Sequence, residues 1–229
     1  MIHIASIYYS EYITKVALIK NIDRVIFVHT TGRYSKYKNA AKDYIRIEES
    51  VINSGINYTI LRPTMIYGSK KDRNIYKLID YLYRHKYFPV FGKGLNLMQP
   101  IHARDLGEAI FLTFINRDKT INKTYNIAGK YPITYKQILL CISNNLKKQN
   151  IFIHIPYFIS LVTAHIYNML SQKPLISVEQ VMRMNEDKAF SYEEAVQDFG
   201  FNPVSFEEGI IDEIIEYLSE IGGNKKKFT

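Results

Sequence analysis

Apolar positions along this chain form short unbroken runs, separated by stretches that repeat with a helical period. Arg24-Val-Ile-Phe-Val28 is β-branched and aromatic, the pattern of a strand buried on both faces. Asn57–Leu61 is a second such run; Arg62-Pro63 follow it, and Gly68 closes the loop beyond. Ile2–Ala5 is a shorter strand of the same kind. Between these runs, Ser10 is placed to cap a helix carrying Ile13, Val16, Ala17 and Lys20. A second helix is predicted from about Asn39, with Ala41, Tyr44, Ile45, Glu48, Val51 and Ile52, and with Gly55 at its C-terminal exit. This β-α-β-α-β order predicts an α/β fold with a parallel sheet and right-handed crossovers.

After Gly68 the pattern becomes mostly helical. Ile75, Leu78, Ile79 and Leu82 mark one apolar face, and Arg104–Asn116 holds another helix with Leu106, Ala109, Ile110 and Thr113. Phe88–Gly94 reads as a turn-rich link, and Tyr125–Gly129 as a short strand with a glycine exit. Thr134/Gln137, Ser177/Gln180, Ser191/Glu194 and Ser205/Glu208 match the capping box. The last of these opens a strongly amphipathic helix with Ile210, Ile211, Ile214, Ile215 and Leu218. Asp105 is expected to cap the Arg104–Asn116 helix.

Composition narrows the class. With 229 residues and 47% hydrophobic content the chain can bury a substantial core. The net charge of +8 leaves nucleic acid or an acidic membrane surface open. Part of that charge, however, sits in Lys225-Lys226-Lys227 beyond Gly222-Gly223, where a solvated basic tail is expected. Interleaved aromatic and basic residues, the mark of a nucleic-acid surface, are absent, so no nucleic-acid partner is expected. The window Ile151–Leu170 is the most apolar, but His154, Pro156, His165 and Asn168 interrupt it, which argues for a lobe-capping helix and against a membrane span. Met1–Ala5 lacks a basic n-region, and the single cysteine, Cys141, lies in an apolar run. Both fit a cytoplasmic protein with no disulfide and no multi-cysteine metal site. His3 and His102 have no second histidine at helical spacing, so no metal site is expected.

Thr30-Thr31 stands where a buried strand ends, a position at which doubly wound sheets expose reactive side chains. A hydroxyl there can bond a substrate carbonyl or alcohol; the same residues also suit a strand-end turn.

Three segments, Val25–Tyr34, Ile56–Gly68 and Gln99–Gly107, together with the tail Phe199–Gly209, resemble the extended short-chain dehydrogenase/reductase superfamily, in its NAD-dependent epimerase/dehydratase branch. The resemblance runs from about Ile2 to Leu218, and it implies several roles. Thr30 or Thr31 assists catalysis, with Tyr37 and Lys42 as the tyrosine and lysine of the site. The end of the first strand, at His3 and Ala5, lies against an NAD or NADP cofactor, as do Lys42 and the segment Arg62, Pro63, Thr64 and Ile66. Tyr67, Gln99, His102 and Arg104 border the substrate, which is a nucleotide sugar or a similar hydroxyl or carbonyl compound.

Two departures from that pattern stand out. The family opens with strands that carry a glycine fingerprint for the dinucleotide pyrophosphate, whereas the only Gly-x-Gly here is Gly92-Lys93-Gly94, away from any strand-to-helix turn. In addition, the position four before Lys42 is Lys38, which leaves Tyr37 one residue off the regular spacing; Tyr34 and Lys38 keep the spacing but sit closer to the strand. The expectation is therefore a partial doubly wound, Rossmann-like sheet lacking its first strands, with a mostly helical C-terminal substrate lobe. Residues 1–68 would form the second half of the NAD(P)-binding domain, 69–221 the remainder and 222–229 the basic tail. A sheet left open at its first strand predicts a homo-oligomer or a partner segment covering it. The alternative is a non-catalytic binding or assembly protein that keeps the reductase fold.

Overall fold

The computed structural model describes residues 1–37, 39–72, 74–159, 161, 178–184 and 186–225. Four parallel strands form its main sheet in the order β1 (Ile2–His3), β2 (Val25–Val28), β3 (Tyr58–Pro63) and β8 (Lys123–Ile127). The apolar character of β2 and β3 follows from burial on both faces. On one face Val25, Phe27 and Ile60 pack with Ala17 of α1 (Ser10–Ile19) and Val51 of α2 (Ala41–Ile52). On the other, Ile26, Val28, Leu61 and Tyr125 meet Leu106 and Ala109 of α4 (Ala103–Ile115) and Phe199 of α8 (Glu193–Phe199).

A second core lies among α3 (Ile75–Arg84), α6 (Tyr135–Asn145) and α9 (Phe206–Lys225), where Ile79, Leu82, Ile138, Ile142, Ile210 and Ile214 interlock. Three two-stranded pairs join this lobe to the sheet. They are β4 (Ile66–Tyr67) with β7 (Ile101–His102), β5 (Tyr87–Phe91) with β10 (Ile151–Ile155), and β6 (Leu97–Met98) with β9 (Ile133–Thr134).

Several local expectations change. Phe88–Phe91 is a strand, because Ile151–Ile155 pairs with it in parallel register; the apolar window that starts at Ile151 therefore opens as a strand. Among the described residues no helix is long and apolar enough to cross a membrane, while His165 and Asn168 lie outside them. Ser10 does not cap α1; it is that helix's first residue, fully buried, with its hydroxyl 3.1 Å from His29 Nε2. The α4 helix is capped by His102, whose Nδ1 accepts from Arg104 N–H at 3.2 Å, while Asp105 instead accepts from Val204 N–H at 3.0 Å. Of the capping boxes, Thr134/Gln137 and Ser205/Glu208 form. Ser191/Glu194 does not, because α8 starts after Tyr192, and Ser177 lies outside the described residues. Helix α9 continues through Gly222-Gly223 to Lys225, past the expected start of the tail; residues 226–229 are outside the described set.

Candidate functional site

The carboxyl ends of β2 and β3 open into a cleft of about 390 Å³. Its floor is Thr30, Thr31 and Gly32 from the turn after β2, with Thr64 and Met65 from the turn after β3. Each hydroxyl is oriented by one backbone bond. Thr30 Oγ1 accepts from Gly32 N–H at 3.0 Å, Thr31 donates to the Pro63 carbonyl at 3.1 Å, and Thr64 donates to that of Gln99 at 2.5 Å. Thr30 thus keeps a proton to donate, and Thr31 and Thr64 keep lone pairs to accept.

The roof comes from the segment after α7 (Val178–Met184). Glu186 accepts from the Ser35 hydroxyl and from Lys36 N–H, both at 2.7 Å. Phe190 lies 5.3 Å from the Tyr34 ring, and its N–H donates to Gln99 Oε1 at 2.8 Å. A second groove of about 500 Å³ continues from the same floor toward Tyr67, Ser69, Lys71 and Asp72.

Beneath the cleft lies a buried charge cluster. Glu48, 1% exposed, receives Arg62 Nε at 3.0 Å, further contacts from Arg62 Nη2 and Arg33 Nη1, and His29 Nδ1 at 3.3 Å. Burial pushes its carboxyl up, but the bonds from His29 and Arg62 and the charges of Arg62 and Arg33 outweigh burial and hold it down at about 2. Arg62 also donates to the Tyr34 hydroxyl at 2.9 Å, and that hydroxyl donates to Asn126 Oδ1 at 3.2 Å. Tyr34, on the cleft wall, is therefore fixed by the cluster.

The expected site residues divide accordingly. Thr30, Thr31, Pro63, Thr64, Ile66 and Tyr67 come together around the cleft and groove. Tyr37 and Lys42 are exposed and line neither, and Lys38 lies outside the described residues. Arg62 is not free for a cofactor phosphate, because its guanidinium is committed to Glu48 and Tyr34. His3 is buried against Phe27 at 5.8 Å, and Ala5 is exposed beyond β1. Gln99 is buried and bridges the Gly129 carbonyl and Phe190 N–H, so it holds the roof. His102 is buried, and Arg104 is exposed and pairs with Asp212 at 2.6 Å. Sequence reasoning missed Glu48 as the organising charge, although a carboxylate among Tyr44, Val51 and Ile52 on an apolar helix face was a visible signal. Tyr34 was discounted for its closeness to the strand, which is what places it in the cleft.

The profile of the NAD dependent epimerase/dehydratase family matches residues 10–128, more than half of the chain. The chain belongs to this family. Among curated relatives it is 24% identical over 141 residues to the N-acetyl-alpha-D-glucosaminyl-diphospho-ditrans,octacis-undecaprenol 4-epimerase of Escherichia coli O157:H7, covering 62% of this chain and 42% of that protein. It is 23% identical over 154 residues to the mitochondrial NADH dehydrogenase [ubiquinone] 1 alpha subcomplex subunit 9 of Arabidopsis thaliana, covering 66% and 38%. The chain thus spans less than half the length of these relatives. The UDP-glucose 4-epimerase of Thermotoga maritima, solved with UDP-glucose, shares the fold with a TM-score of 0.69 at 16% identity over 93% of this chain and 69% of that one. The dTDP-glucose 4,6-dehydratase of Bacillus anthracis, solved with NAD, matches with a TM-score of 0.70 at 14% identity over 96% and 73%. The α/β, Rossmann-like assignment stands on this agreement.

Family membership implies NAD or NADP, and this chain's residues meet only part of that requirement. The Thr30 and Pro63–Ile66 walls suit a flat ring or sugar against the floor. A pyrophosphate needs backbone N–H groups at a glycine-rich strand-to-helix turn, and none of the 11 glycines stands in a Gly-x-Gly-x-x-Gly run. Arg62 is engaged by Glu48, and among the described residues no strand-to-helix turn offers a glycine-rich cradle for the phosphate end of the cofactor.

Proposed function

We propose that the chain forms the substrate-side part of an NAD(P)-dependent epimerase, dehydratase or reductase, and that its cleft takes a nucleotide sugar or a similar hydroxyl or carbonyl compound. The observation that carries this reading is the convergence of the Thr30, Thr31, Tyr34 and Thr64 side chains on one cleft of about 390 Å³. Oriented hydroxyls with spare donor and acceptor capacity match the alternating hydroxyls of a sugar. The apolar sides of Met65, Met98 and Phe190 suit a sugar's C–H faces.

Calorimetric titration with UDP-glucose and UDP-N-acetylglucosamine tests the reading. Binding is expected, and Thr31→Val with Tyr34→Phe should weaken it. Unchanged affinity in both variants, or no binding by the parent, would reject the cleft as the site. NAD(H) and NADP(H) are expected to bind weakly to this chain alone.

A second reading, a non-catalytic binding or assembly protein, is favoured by the exposure of Tyr37 and Lys42 away from the cleft. It gains further support from the β1 edge of the sheet, where Ile2 is 43% and Ile4 63% exposed. The relative named as a subunit of NADH dehydrogenase points the same way. Cofactor-dependent turnover of any bound nucleotide sugar would decide for the enzyme.

A further inference from the structure

Helix α9 carries three glutamates that all grip the loop after β4. Glu213 Oε2 accepts from Gly68 N–H at 2.8 Å, and Glu216 accepts from Lys70 N–H at 3.3 Å. Glu220 takes Lys70 Nζ at 2.5 Å and the Tyr76 hydroxyl at 3.1 Å. That loop is one wall of the groove, through Ser69, Lys71 and Asp72. Gly68 has φ +118°, and a Cβ there would meet His102 Nε2 at 2.5 Å, so the site needs glycine to turn its amide onto Glu213.

The outer two glutamates sit near the surface, whereas Glu213 is fully buried. Among the described residues its Oε1 makes no hydrogen bond. The groups that act on it are acids: Asp72 from the loop and Glu216 one turn along its own helix. Tyr67 of β4 faces it from the inner side, with a hydroxyl that is buried and unpaired among the described residues. His102 of β7 lies 5.2 Å from the Tyr67 ring, and its Nδ1 is an acceptor, so the imidazole is neutral and brings no positive charge. Asp72 is held in place by α3, accepting from Asn74 N–H at 2.7 Å and Tyr76 N–H at 2.9 Å.

We propose that α9 is a proton-operated latch on this wall of the groove that continues from the cleft floor. A proton on the buried Glu213 keeps residues 68–72 seated, and its loss leaves a carboxylate with one oxygen unpaired and only the Gly68 N–H to hold it, which drives the loop off the helix. The inference deepens the proposed function only in its last step, the effect of loop release on a ligand in the cleft. Burial first, and the neighbouring acids after it, push the Glu213 carboxyl up to about 8 against the Gly68 bond, which pulls it down. The proton is therefore retained at neutral pH and given up in mild alkali.

Hydrogen exchange at the Gly68 amide, followed by NMR and corrected for the intrinsic rate, reads the latch directly. Protection is expected to fall roughly tenfold between about pH 7 and pH 9, while the strand amide of Ile60 keeps its protection. In Glu213→Gln the side chain still accepts from Gly68 and can donate to Asp72 but cannot titrate, so the fall should vanish. A flat profile in the parent, or an equal fall in Glu213→Gln, overturns the latch. Should that variant fail to fold, Asp72→Asn serves: removing the facing charge should move the midpoint to lower pH, and an unmoved midpoint overturns the proposal. UDP-glucose affinity is expected to follow the Gly68 profile. Absence of binding at every pH would overturn the proposed function while the amide profile still decides the latch by itself.

Discussion

Glu48 and Glu213 are equally buried glutamates on helices, yet their carboxyls shift in opposite directions, to about 2 and about 8. Burial raises both. Around Glu48 two guanidiniums and an imidazole over-compensate; around Glu213 one backbone N–H faces two further acids. Burial thus sets the cost of a charge, and the neighbours on the facing elements decide whether the charge is kept. The first glutamate stiffens the cleft wall through Arg62 and Tyr34, and the second holds the wall of the adjoining groove by a single proton.

The sharpest way to break this comparison is Glu48→Ala, which strands Arg33 and Arg62 beneath the sheet edge. A loss of about 3–5 kcal/mol is expected in the urea midpoint at neutral pH; a small loss would mean that the cluster is solvated. Next comes the pH profile. Glu48, with its folded value depressed, contributes stability that is present above its unfolded value near 4.5 and lost as pH falls toward about 2. Glu213, with its folded value raised, favours the folded state while protonated, and that advantage is lost as pH rises from near 4.5 through about 8. Denaturant midpoints should therefore decline at both ends. Between about pH 7 and pH 9, Glu213→Gln should lose about 1.4 kcal/mol less than the parent, and parallel curves would refute the assignment.

Glycines on helices sharpen the contrast further. A Cβ at Gly209 would meet Tyr67 Oη at 2.3 Å, whereas one at Gly107 meets nothing within 4 Å. Gly209→Ala should destabilise by about 1–2 kcal/mol, and Gly107→Ala should stabilise by about 0.5–1 kcal/mol. Thermal melts that rank them the other way would show the Tyr67 pocket to be loose. The smallest effect is expected for Arg104→Ala, because its pair with Asp212 is exposed on both sides and should leave the melting midpoint unmoved.

Much of the frame was legible along the chain. The run at Val25–Val28 and the segment Asn57–Leu61 read as strands covered on both faces, and Thr134/Gln137 and Ser205/Glu208 announced their helices through bonds made within a few residues. Thr30 and Thr31 line the cleft, as their place at a strand end led one to expect of such a sheet. The pairing of Tyr87–Phe91 with Ile151–Ile155 was hidden, since the partner lies far along the chain and Pro89 looks like a breaker. His102 took the capping position from Asp105 because Val204, distant in sequence, claims the carboxylate.

By itself, then, the sequence determined what short-range periodicity and local hydrogen bonding dictate: the parallel sheet, the helical lobe, and the strand ends where a ligand would sit. Only the tertiary structure decided which of the polar residues reach the cleft. Tyr34 entered the cleft and Tyr37 did not, Arg62 turned inward to Glu48, and Glu213 met Gly68 and Asp72 across some 140 residues. Electrostatics depends on distances through space, and those are set by packing between elements that no local pattern records.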